Sequence, residues 1–167
     1  MTLARLSLIL LLGLCACSER SSAPYKNPWD RAAVQLGYAG WFYQPCYRKK
    51  TDAFGDVYVF IGSEECFRFN PPERMRGVWL DEGEDAEFLP NAVAAPVVRT
   101  WSPDGTALEF ARSEPLLSGR QQYWAIEFVG RRATYPGHYG HLGMRRHLII
   151  ADEVLSATPV PPPQRWE

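Results

Sequence analysis

Three histidines, four cysteines and a net charge of −1 over 167 residues are the scarcities that bound this sequence. A balance of charge so close to zero gives no global field to draw the chain to polyanions, so a nucleic-acid partner is not expected. Cysteines in no C-x-x-C arrangement speak against a redox enzyme. A G-x-S-x-G elbow, a phosphate-binding G-x-x-x-x-G-K-[ST] loop and a dinucleotide fingerprint are all missing. Long amphipathic helical stretches are scarce as well. What is plentiful is aromatic side chains, 13% of the chain, and proline, 14 residues. That combination favours strands joined by irregular loops.

The first residues follow a recognisable pattern. Arg5 supplies a positive start, and residues 6–14 form an apolar run shorter than the roughly 20 residues a spanning helix needs. Leu14-Cys15-Ala16-Cys17 follows, with Leu14 three residues before Cys17 and small Ala16 immediately before it. This stretch resembles the lipobox of bacterial lipoproteins. The resemblance implies a signal over residues 1–16. It also implies that Cys17, its thiol as nucleophile, takes covalent diacylglycerol and acyl lipid. Ser18, where aspartate would favour the inner membrane, then points to the outer membrane, with the protein facing the periplasm. Residues 17–27 would be the lipidated start and a polar tether.

Subtracting Cys15 and Cys17 leaves Cys46 and Cys66. In an exported domain two remaining cysteines are most simply one disulfide, the alternative being two unlinked buried thiols.

Along the rest of the chain, Asn27-Pro28 opens a short helix that should end at Gly37. An aromatic, proline-interrupted strand is expected over residues 40–47, then strands at 56–61 and 65–69 with a turn at 62–64, so that Cys46 and Cys66 staple adjacent strands. A strand at 76–80 precedes an acidic loop, 81–87. Ser102-Pro103-Asp104-Gly105 reads as the turn of a hairpin with arms at 97–101 and 106–112. Tyr123–Val129 alternates cleanly, with Trp124, Ile126 and Phe128 on one face. A last strand covers 148–155, and the prolines of residues 158–167 suit an extended polyproline-type tail. The expected fold is mainly β: a small antiparallel β-barrel or sandwich over residues 28–157, with one short N-terminal helix.

Between residues 76 and 156, a strand leaving through Phe128-Val129-Gly130-Arg131-Arg132, a glycine-rich crossing and a return strand Leu148-Ile149-Ile150-Ala151-Asp152-Glu153-Val154 resemble OB-fold barrels. They are also similar to the C-terminal halves of bacterial lipoproteins with that pattern. The resemblance implies a binding barrel rather than a chemistry.

The crossing itself, residues 130–147, holds every histidine. His138, His141 and His147, with Glu127 or Asp152 as a fourth ligand, could make a zinc set and hence a metal-dependent hydrolase. Against this, H-x-x-H is a weak spacing, glycines 137, 140 and 143 forbid a helix, and four nearby arginines oppose a dication. A turn of hydrogen-bonding histidines is the plainer expectation. Arg131, Arg132, Arg145 and Arg146 would meet across a hairpin and, with Tyr135 and Tyr139 facing outward, form a candidate surface for an envelope protein, glycan or lipid head group. The same arginines would alternatively pair, solvated, with the acidic loop 81–87. The expected role is therefore a non-enzymatic, membrane-anchored binding or structural protein without a cofactor; zinc enters only in the hydrolase alternative.

Overall fold

A computed structural model of the protein describes residues 23–40, 43–81, 86–96, 98–99, 102–112, 123–162 and 165–166. The expected signal, Cys17 and the tether up to residue 22 lie outside the described residues. The chain divides into two compact units, Met1–Cys66 and Phe67–Glu167, where the sequence reading carries one domain over residues 28–157.

In the first unit, helix α1 (Pro28–Gln35) begins as expected: the Asn27 side chain accepts from the Trp29 N–H, and proline opens the first turn. Gly37, with φ +75°, stops it. Asp30 and Val34 are its buried positions. Asp30 is a buried carboxylate that accepts from the Tyr43 hydroxyl and from the Arg48 guanidinium at 2.8 Å and 3.2 Å. Burial alone would raise its pKa. The hydrogen bonds from Arg48, Tyr43 and the Cys46 N–H outweigh that and hold it below the ordinary aspartate value. The stability that Asp30 contributes is thus fully present above about pH 4 and lost as the pH falls through its lowered folded value. Urea unfolding should accordingly weaken between pH 6 and pH 3, and Asp30→Asn should flatten that slope while lowering stability at pH 7. An unchanged slope in the variant would exclude Asp30 as its source.

The described residues of 40–46 do not form the expected aromatic strand; an isolated Ala39–Tyr43 bridge is what pairs there. The strands are β1 (Tyr47–Asp52) and β2 (Gly55–Phe60), antiparallel in the register Tyr47–Phe60 to Asp52–Gly55. Residues 65 and 66, expected to begin a strand, lie instead in one helical turn, α2 (Ser63–Cys66). The expected disulfide is present, Cys46 to Cys66 with Cα atoms 5.3 Å apart, but it ties the residue before β1 to α2 rather than stapling two strands.

The second unit is a closed five-stranded barrel. Its strands are β3 (Glu73–Leu80), β4 (Glu87–Pro90), β6 (Thr106–Phe110), β7 (Tyr123–Arg132) and β8 (His147–Pro159), in the spatial order β3-β4-β6-β8-β7. One pair, β6–β8, is parallel and the rest are antiparallel. The small barrel is thus as expected, with this one parallel pair among its antiparallel ones. The expected hairpin at 97–112 is replaced. Its turn exists, with Gly105 N–H donating to Ser102 O at 3.1 Å. Its arms take other partners: β5 (Val98–Arg99) runs parallel to β9 (Arg165–Trp166), and β6 lies between β4 and β8. The proline-rich tail begins later than expected, because Thr158 and Pro159 pair with Ala125 and Trp124.

Alternation in β7 fills the barrel. Trp124, Ile126 and Phe128 point inward with Met75, Trp79, Phe88, Leu108, Ile149 and Ala151. Edge-on ring pairs, Trp79–Phe110 at 5.0 Å and Phe88–Phe128 at 5.3 Å, give the core its aromatic character. Outside the barrel Val78, Leu80 and Tyr123 form a second cluster under Leu89, Ala92, Ala95 and Val160. Two register shifts along the β7–β8 pair let β8 coil far enough to serve both β6 and β7.

Closure requires a missing side chain at Gly77. A Cβ there would stand 2.3 Å from the Leu89 carbonyl oxygen and 2.6 Å from the Phe88 ring. Gly77→Ala must push β4 off β3, and a cost of about 1–3 kcal/mol is expected from such overpacking. Thermal melting checks this; a Tm within 2 °C of the parent would show that β4 yields freely.

Candidate functional site

The crossing between β7 and β8 is more buried than its composition suggests. Tyr139 and Arg145 pair through both backbone bonds, 2.8 Å and 3.0 Å, and both side chains are buried. The Tyr139 hydroxyl donates to Tyr135 O at 2.6 Å, and its ring meets Phe67 edge-on at 4.7 Å. Gly137 lies against that ring so closely that a Cβ would come within 2.8 Å of it. Tyr135 is exposed. The outward-facing surface expected of these residues is therefore corrected at its two central members.

The arginines are spent on four different carboxylates. Arg131 grips Asp152 at 2.5 Å, Arg132 lies 3.8 Å from Glu73, and Arg146 lies 3.6 Å from Asp104. Arg145 faces Glu87 at 3.6 Å and donates to Ser102 O at 2.9 Å. The acidic loop was expected to supply solvated partners. It supplies instead a buried one, since Glu87 and Arg145 keep only 8% and 4% of their side-chain surface. Residues 82–85 of that loop lie outside the described residues.

The His138 ring faces Gly143 O at 3.3 Å, His147 opens β8, and the side chain of His141 lies outside the described residues. Glu127 and Asp152, the candidate fourth ligands, are occupied by Arg74 at 2.7 Å and by Arg131. Among the described residues no three of His, Cys, Asp and Glu gather into a metal set.

A groove among the described residues lies elsewhere, along β3. β4 is short and, on its β3 side, pairs only with Gly77–Leu80. It ends at Pro90, and Asn91, in the left-handed region at φ 61°, turns the chain away while its N–H donates to Arg76 O. Glu73–Arg76 therefore has β7 on one side and no β4 residue on the other. A groove of about 380 Å³ results, with Met75, Phe88 and Pro90 among its apolar lining and Arg74, Arg76 and Arg132 facing Glu73 and Glu127.

Its electrostatics are uneven. Hydrogen bonding from Arg74 holds the Glu127 carboxyl below the usual range, and Arg76 adds to the pull. Arg132 also donates to Met75 Sδ at 3.8 Å. Arg76 alone of the three guanidiniums has no side-chain ion pair or hydrogen bond among the described residues. Of the expected ligand-binding residues only Arg132 reaches this groove. The sequence signal for the rest was available in Glu73-Arg74-Met75-Arg76, an apolar residue between two arginines at strand spacing, just ahead of the strand expected from residue 76. No family model, curated protein or solved structure matches this chain.

Proposed function

We propose that the protein is a lipid-anchored envelope protein, acylated on Cys17 and held at the outer membrane facing the periplasm, whose barrel binds an anionic group of an envelope component. The observation that carries the binding half is the β3 groove, where Arg76 stands unpaired among the described residues over an apolar lining. A guanidinium of this kind suits a carboxylate or phosphate, and its planar fork adds direction to charge. The supporting observation for location is the Cys46–Cys66 disulfide, since such bonds persist chiefly in oxidising compartments. The role is binding or structural rather than catalytic.

Two measurements test it. Mass spectrometry of the N-terminal peptide from the membrane fraction should find Cys17 carrying diacylglycerol and an acyl chain, and Cys17→Ser should lose both. An unmodified Cys17 would refute the anchor. For the groove, a benzophenone amino acid placed at Glu73 in living cells should give discrete crosslinked adducts that Arg76→Glu abolishes. The same adducts in both backgrounds would refute the groove as the binding surface.

A further inference from the structure

The β1–β2 hairpin is a poor piece of globular protein. Two strands alone are marginally stable in water, and a stable pair normally buries one face. Here residues 49–60 are exposed on both faces, and together with Tyr47 they leave six apolar or aromatic side chains open: Tyr47, Phe54, Val57, Tyr58, Val59 and Phe60. Phe54 stands at the tip with 99% of its surface free. The turn is built to present it. The Asp52 carboxylate accepts the Phe54 N–H at 2.8 Å, and Gly55 takes φ +121° to begin the return strand.

The placement of this hairpin along the chain says what meets it. Its root is fixed by the disulfide at Cys46 and by Ile61 N–H donating to Cys46 O at 2.9 Å. Lys26, where the tether enters the unit, is bonded to the same place, its N–H donating to Cys66 O at 2.8 Å. From Lys26 back to Cys17 the chain spans at most about 30 Å. The hairpin, six residues on each arm, projects roughly 20 Å. A tether fixed at the hairpin root thus keeps the tip within reach of the surface that holds the Cys17 lipid.

We propose that this hairpin is a second membrane contact, with Phe54 inserted at the headgroup boundary of the leaflet that takes the Cys17 acyl chains. It rests on the anchored reading above. Tyr47 and Tyr58 are the side chains favoured at a membrane–water interface, apolar in body and polar at the tip. The charges agree with an anionic headgroup layer. Asp56 is held by Lys49 at 2.6 Å and by Thr51 at 2.7 Å, Asp52 is engaged in its own turn, and Arg48 is bound to Asp30. Lys50 is left to face the lipid phosphates.

The test uses the full chain, isolated with its lipid, reconstituted in 3:1 phosphatidylethanolamine–phosphatidylglycerol vesicles and carrying a nitroxide at Ala53→Cys. Collisions of the label with a water-soluble nickel chelate report its depth. Burial of one phenylalanine side chain predicts nickel collisions on the order of tenfold rarer with Phe54 present than in the Phe54→Ser variant. Phe54 touches little else, so near-ultraviolet circular dichroism should be identical in the two. Equal nickel collisions in both proteins would overturn the proposal. So would dipolar broadening that disappears on diluting the protein among vesicles, because a second copy would then occupy the hairpin. The mass of the N-terminal peptide reads the anchor separately. Should Cys17 prove unmodified, the same label in a Cys15→Ser, Cys17→Ser background with added vesicles decides the hairpin by itself.

Discussion

Replacing Arg145 by methionine is expected to destabilise the barrel by about 3–5 kcal/mol, the usual cost of leaving a buried charge without its partner. Glu87 at the start of β4 and Arg145 at the end of the crossing are both buried, 3.6 Å apart, and Gly105 of the intervening turn gives them room. A Cβ at Gly105 would stand 2.5 Å from Glu87 Oε1 and 2.7 Å from Arg145 Nη1. Three connections of the barrel therefore converge on this ion pair: the entry to β4, the turn before β6 and the crossing before β8. Desolvation makes the pair a poor source of net stability but an expensive one to break by halves. The double variant Arg145→Met, Glu87→Leu should accordingly recover most of the loss. Chemical denaturation followed by tryptophan fluorescence measures both. A single variant within 1 kcal/mol of the parent would mean that water reaches the site and solvates whichever charge remains.

Removal of the disulfide, as Cys46→Ala with Cys66→Ala, should cost the first unit about 3 kcal/mol, the chain-entropy value for a closed loop of this size. That unit is small, its hairpin contributes little burial, and small units depend on staples. Hydrogen exchange gives the sharpest readout. Amides of β1 and β2 should lose protection on reduction, while those of β7 and β8, whose partners all lie within the barrel, keep theirs. Unchanged protection across residues 47–60 after reduction would show that the hairpin needs no staple.

How much of this was legible beforehand depended on whether a segment's pattern was decided locally. Helix α1 was legible because its cap, proline and terminal glycine are adjacent in sequence. So was β7, where large apolar residues alternate without interruption. β1 was not, because Tyr47-Arg-Lys-Lys-Thr-Asp52 is a strand with no buried face and so no period to read. β4 is four residues long and begins with a glutamate, which belongs on a surface until its distant arginine is known. The crossing misled for the same reason: burial of Arg145 and Tyr139 is conferred by residues 102, 87 and 67, none of them near in sequence. The groove was hidden by an ending, since it exists only because β4 stops at Pro90.

The staple at Cys46–Cys66 also sets the mechanical path through the molecule. Tension applied between residue 26 and the barrel follows the chain to Cys46 and crosses the sulfur bridge directly to Cys66. Residues 47–65 are outside that line and carry no load, so the hairpin keeps its shape while the connection is pulled. Cutting the bridge would place those residues in series and lengthen the leash by up to about 65 Å. The oxidation state of one cysteine pair therefore determines how far residue 26 and Phe67, where the barrel unit begins, can be drawn apart along the chain.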